Sequence, residues 1–75
     1  MEGLVGRVAQ VNESLRFVVL DFPPGQLPKI GSRMTVYRQG QKVGEVKVTE
    51  PALDTKIAAD ILAGEAKTGD EVRAE

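Results

Sequence analysis

Residues 31–50, GSRMTVYRQGQKVGEVKVTE, decide the fold. Apolar residues alternate with polar ones on both sides of Gly40, the pattern of two half-buried strands joined by a turn. Parity assigns the faces. Met34, Val36, Gly44, Val46 and Val48 share one face if the strands pair in an even register. A three-residue loop holding Gly40 produces that register, with Gly40 supplying the positive φ of a bulge turn. A two-residue loop would set Glu45 opposite Met34 on the core side. That is the cost of a one-residue slip wherever one sheet face is buried, so the three-residue loop is expected. The other face carries Arg33, Thr35, Tyr37, Val43, Glu45, Lys47 and Thr49, and is expected to meet water.

The whole chain has 75 residues, enough for a single domain over residues 1–75. A chain this short buries only about 60% of its unfolded surface, so its core is small. It has neither cysteine nor histidine. Disulfides and Cys/His zinc sites are thereby excluded, and stability must come from packing, sheet closure or self-association. Hydrophobic residues at 41% and charged residues at 28% describe a globular chain.

A net charge of −1 points to no particular partner, but the charges are unevenly spread. The stretch 29–47 holds Lys29, Arg33, Arg38, Lys42 and Lys47 against Glu45 alone. The stretch 50–75 holds seven acidic residues and three basic ones. The hairpin reads as positive and the C-terminal third as negative. No apolar run reaches the roughly 20 residues of a membrane span, and Glu2 directly after Met1 is unlike a signal peptide. A bacterial cytoplasm or envelope is compatible with this chain.

Working outward from the hairpin, residues 3–11 read as a first strand. Gly3 and Gly6 predict bends in it. Val5, Val8 and Val11 do not share one period-2 face, which predicts a bulge. Residues 12–14 form a turn. Residues 15–22, LRFVVLDF, form a second strand with Phe17 and Val19 on one face and Val18, Leu20 and Phe22 on the other. Apolar residues on both faces predict a central strand covered on both sides. Pro23-Pro24-Gly25 ends it. The crossover that follows should insert Leu27 and Ile30 as plugs.

Pro51 is expected to stop the fourth strand, with residues 51–54 as a turn. Residues 55–62, TKIAADIL, admit two readings. Helical spacing groups Ile57, Ile61 and Leu62, and Ala58 and Ala59 favour a helix. Strand parity groups Ile57, Ala59 and Ile61, and eight residues between turn signals favour a strand. Residues 63–68 read as a loop, and residues 71–73 as a closing strand paired with the first, which removes two edges at once. Six short antiparallel strands predict an all-β small barrel, closed or partly open.

Gly6, Val8 and Val11, then Phe17 to Leu20, then Gly31, Met34, Val36, Tyr37, Arg38, Gly40, Val43, Gly44, Glu45, Val46 and Val48 form a recurrent pattern. Ile57, Ala58, Ala59, Gly69, Asp70 and Val72 complete it. The pattern resembles the C-terminal domain of the flagellar assembly protein T family and similar SH3-like barrels of bacterial cell-envelope proteins. The resemblance covers nearly the whole chain and rests on turn glycines and core valines. It implies a fold and supplies no catalytic residue.

Function classes narrow by elimination. Without His or Cys the commonest general base and the thiol nucleophile are missing. The carboxylate pairs Asp54/Asp60 and Asp70/Glu71 sit at turns or on polar faces, and no nucleophile–base–oxyanion set can be assembled around them. Neither a phosphate-cradling glycine loop nor a calcium loop has its spacing here. No enzyme activity, cofactor or metal is expected. Two binding readings remain. One is a structural or protein-interaction module. It would act through the face Arg33, Thr35, Tyr37, Val43 and Lys47, through self-association of its opposed charges, or by accepting a strand at a barrel edge. The other is a single-stranded nucleic-acid-binding barrel using Arg33, Tyr37, Arg38, Lys42 and Lys47, although a pI near 5.4 and a single Tyr weigh against it.

Overall fold

The computed structural model describes residues 5–74. Six strands form: β1 (Val5–Asn12), β2 (Phe17–Asp21), β3 (Arg33–Arg38), β4 (Gln41–Leu53), β5 (Lys56–Gly64) and β6 (Glu71–Ala74). They pair antiparallel in the closed order β1-β2-β5-β4-β3-β6. The all-β barrel expected from the alternation is therefore present, in its closed form. Residues 55–62 belong to strand, as parity indicated, with Ile57 and Ala59 buried. The bend predicted at Gly3 lies outside the described residues.

The β3–β4 hairpin keeps the expected core register by an unexpected route. Met34 pairs with Val46 and Val36 with Gly44. Yet the turn is a two-residue loop of Gln39 and Gly40, both at positive φ (54° and 81°), between the paired Arg38 and Gln41. Two positive φ values are what a tight hairpin turn matching the strand twist requires. The register slip that such a loop imposes is undone by a bulge between Val36 and Tyr37, where Val43 is the extra residue on β4. Glu45 thus stays off the core face, and the three-residue loop is not needed.

A second bulge, between Val8 and Gln10, resolves the mismatched valines of β1. It lets Val8 fill the core while Val11 packs against it. The core consists of Val8, Val18, Leu20, Phe22, Met34, Val36, Val46, Val48, Ile57, Ala59, Ala66 and Val72. β6 zips β1 to β3 through Gly6–Val72 and Val36–Val72. A closed barrel offers no continuous free edge, so strand addition along a whole edge is not available to a partner.

Several strand ends and one loop residue differ from the expectation. β2 spans Phe17–Asp21 rather than 15–22, and Arg16, at φ 57°, belongs to the turn before it. β4 is 13 residues long and runs through Pro51 to Leu53; the tight turn falls at Asp54, at φ 57°. β5 continues to Gly64, into the stretch read as loop. In the crossover, Leu27 is half-buried against the core and Pro28 is buried, but Ile30 is 56% exposed and is not a plug. A plug must face the barrel mouth, and the neighbouring Gly31 is tied to Val48 by its backbone N–H, which holds the chain along the rim.

Candidate functional site

The register places the sequence-derived site residues on the outside of β3 and β4, with one exception. Arg33 lies opposite Lys47, Thr35 opposite Glu45, and Tyr37 opposite Lys42. Arg38 shares the parity of Met34 and Val36, so it stands on the inward row at the barrel end. One step beyond the Val36–Val72 pair it meets Asp70, and its Nε and Nη2 donate to the two carboxylate oxygens at 2.9 and 2.8 Å. Asp70 also accepts the Lys67 backbone N–H at 2.8 Å. It is 6% exposed. The hydrogen bonds from Arg38, then that from Lys67, hold the Asp70 carboxyl below the ordinary aspartate range against the opposing effect of burial.

Other charged residues of this face are likewise paired within the chain. Lys42 Nζ donates to Glu45 at 2.7 Å and lowers the Glu45 pKa. Arg73 Nε donates to Glu71 at 2.7 Å, and its guanidinium lies 5.0 Å from the centroid of the Tyr37 ring, within cation–π range. Thr35, expected to face water, is 7% exposed, because β3 is an interior strand and Glu45 and Arg73 flank it in register. The opposed charges of hairpin and C-terminal third therefore meet within one barrel: Arg38 pairs with Asp70, and Lys47 lies opposite Asp60 in register. Of the five residues, Arg33 and Lys47 carry no ion pair among the described residues.

The opposite side of the barrel is different in kind. Here Phe17, Val19 and Ala58 form the floor of an open groove of about 560 Å³, walled by Pro51, Leu53, Asp54, Lys56 and Ile57. The wall exists because β4 outruns β3. Between the pairs Val48–Ala59 and Ala52–Ile57, β4 spends three residues where β5 spends one, and the Glu50–Pro51 peptide is cis. This slip carries Pro51 and Leu53 onto the outer side beside Ala58 and Lys56. Leu53 is 74% exposed. A side chain so apolar and so exposed is ordinary alone, but beside Phe17, Val19 and Pro51 it belongs to a patch.

Of the groove residues, Asp54 figures among the sequence candidates as half of a carboxylate pair, and none figures as a contact residue. The signal was present in β2, whose Phe17 and Val19 make both of its faces apolar. That pattern suggested full cover, whereas both residues are only half-buried. The groove needs the arm beyond Pro51, in a segment read as a turn.

No cluster of three or more His, Cys, Asp or Glu among the described residues could hold a metal, and no helix long and apolar enough to cross a membrane occurs among them. No protein-family model matches the chain, and no curated protein matches it.

Proposed function

We propose that this domain is a non-enzymatic protein-interaction module whose contact face is the apolar groove between β2, β5 and the projecting arm of β4. One contrast supports this reading. The polar face is largely satisfied by its own ion pairs, while the groove leaves Leu53 exposed beside Pro51 and the half-buried Phe17 and Val19. Interaction surfaces are marked by an apolar centre with a polar rim, and Asp54 and Lys56 supply that rim.

Peptide display tests the reading. A random library is selected on the immobilised domain and counter-screened on Leu53→Asp, which alters an exposed position and leaves the core intact. Enriched sequences should carry apolar anchors and lose most of their binding to the variant. No enrichment, or equal binding to both proteins, rejects the groove as a contact face.

A second reading, single-stranded nucleic acid on the hairpin face, is favoured by one observation: Arg33 and Lys47 stand directly opposite each other with no ion-pair partner. Like charges in that position repel; Asp60 beyond Lys47 and Glu45 near Arg33 offset part of that repulsion, and a phosphate would relieve the rest. The stacking platform this reading needs is already under the Arg73 guanidinium, which places it second.

A further inference from the structure

We propose that β6 is a detachable strand, and that the slot it leaves between β1 and β3 accepts an extended segment of a partner protein carrying β6's own residue pattern. This site lies across the barrel from the groove and is independent of it.

The pairing order singles out β6. Each of the other five strands pairs with a neighbour in sequence: β1 with β2, β3 with β4, and β4 with β5. β6 pairs only with β1 and β3, strands far from it in sequence. Pairings that close long loops have the largest chain entropy to offset. Departure of residues 65–74 also leaves the rest intact. The order β1-β2-β5-β4-β3 stays paired throughout, and every core residue except Ala66 and Val72 stays in place. A segment that can leave without dragging others with it is the kind of unit that opens below the global unfolding free energy.

Apart from its ladder and Val72, β6 is held through Asp70. The carboxylate takes both hydrogen bonds from Arg38, and the backbone oxygen takes the Val8 N–H. The Glu71–Arg73 pair lies within β6 and ties it to nothing else.

In the closed barrel no edge is free. Release of β6 frees the edges of Val5–Arg7 and Met34–Tyr37 and opens the core beside Met34 and Val36. Strand addition to such an edge draws affinity from the main chain and specificity from alternate side chains. The present occupant shows what the slot selects. Arg38 takes an acidic residue, as at Asp70. Two positions on, the space between Gly6 and Val36 takes a β-branched apolar residue, as at Val72. The Tyr37 ring takes a cation at the next position, as at Arg73. A partner segment of the pattern acid–any–valine–arginine therefore fits in the β6 register. The chain's own strand competes for the slot, so the apparent affinity is scaled down by the fraction of molecules that are open.

The test is fluorescence anisotropy of a labelled synthetic peptide of residues 65–74 against the full-length chain. Asp70→Ala in the chain loosens its own β6 and leaves the slot unaltered. It should bind the peptide about tenfold or more tighter than wild type does, since hydrogen bonds to a charged group are at stake. A peptide carrying Val72→Asp should not bind. In an Arg38→Ala chain, the peptide and its Asp70→Ala version should bind alike. Leu53→Asp in the chain should change nothing, because the groove is elsewhere. Equal uptake by wild type and the Asp70→Ala chain, or binding of the Val72→Asp peptide, overturns the slot. Dimers of the unmodified chain with exchanged β6 strands would overturn a partner protein as the occupant. Should Asp70→Ala fail to fold, amide exchange of the unmodified chain in low urea decides. The Val8, Gly69 and Val72 amides should exchange while Leu20 and Ile57 remain protected; exchange of all five together would mean that β6 leaves only with the whole barrel, and would sink the proposal.

Discussion

Arg38 and Asp70, 32 residues apart in sequence, form a bidentate pair at 2.9 and 2.8 Å across the end of the barrel. Asp70 ties three parts of the chain together. Its carboxylate holds β3 and caps the turn at Lys67, and its backbone oxygen accepts the Val8 N–H of β1.

This pair makes stability depend on acid in a defined direction. The folded-state pKa of Asp70 is depressed, chiefly by the hydrogen bonds from Arg38. The stabilisation is therefore complete above the ordinary aspartate value near 3.9 and is lost as pH falls through the lower folded value. Urea midpoints should be flat from about pH 8 to 5 and fall below that. Asp70→Asn should cost about 1–3 kcal/mol at neutral pH and flatten the acid limb. Glu45 and Glu71, shifted the same way by Lys42 and Arg73, leave a residual slope. Parallel acid limbs in wild type and variant would place the titrating group elsewhere.

Gly64 is where β4 and β5 approach too closely for any side chain. A Cβ there would fall on the Val43 carbonyl oxygen and within 2.7 Å of the Gly44 Cα, at a φ of +72°. Both obstacles are backbone and neither can swing aside. Gly64→Ala should destabilise by about 3 kcal/mol or more, combining strain with overpacking. A urea midpoint close to wild type would mean that the strands part easily at this end.

The crossover between β2 and β3 offers a paired comparison. Leu27 packs on the core and Ile30 stands in solvent. Leu27→Ala should cost about 1–2 kcal/mol, and Ile30→Ala should stay within about 0.5 kcal/mol. Thermal melts of the two variants decide it; equal losses would return Ile30 to the role of a plug.

Binding of single-stranded DNA should be weak and shallow in its salt dependence. With Arg38 held by Asp70 and Lys42 by Glu45, Arg33 and Lys47 are the hairpin cations left to meet phosphates. Two phosphate contacts give a slope of log K against log salt of about −1.4. Fluorescence titration of an oligothymidylate across salt concentrations measures it. A distinctly steeper slope would show that the internal ion pairs open for phosphate, and would put the nucleic-acid reading first.

The alternation around Gly40 determined that this stretch is a hairpin and that Val36, Val46 and Val48 face the core; the same reading of the other strands made the chain an all-β barrel. Side chains on a strand alternate with a period of two, and that period is written directly in residues 34–48. The mismatch of Val5, Val8 and Val11 likewise announced a bulge, because a broken period has a local cause. Tertiary structure decided everything that depends on pairing across the barrel. The bulge at Val43 compensates a two-residue turn, and only the position of β4 against β3 reveals it. The basic hairpin and the acidic C-terminal third read as surfaces for others until closure brought Asp70 to Arg38. The groove exists because β4 outruns its neighbour past Pro51. Strand lengths relative to one another are set by register, and register is a property of two chains of residues in space, invisible in either one alone.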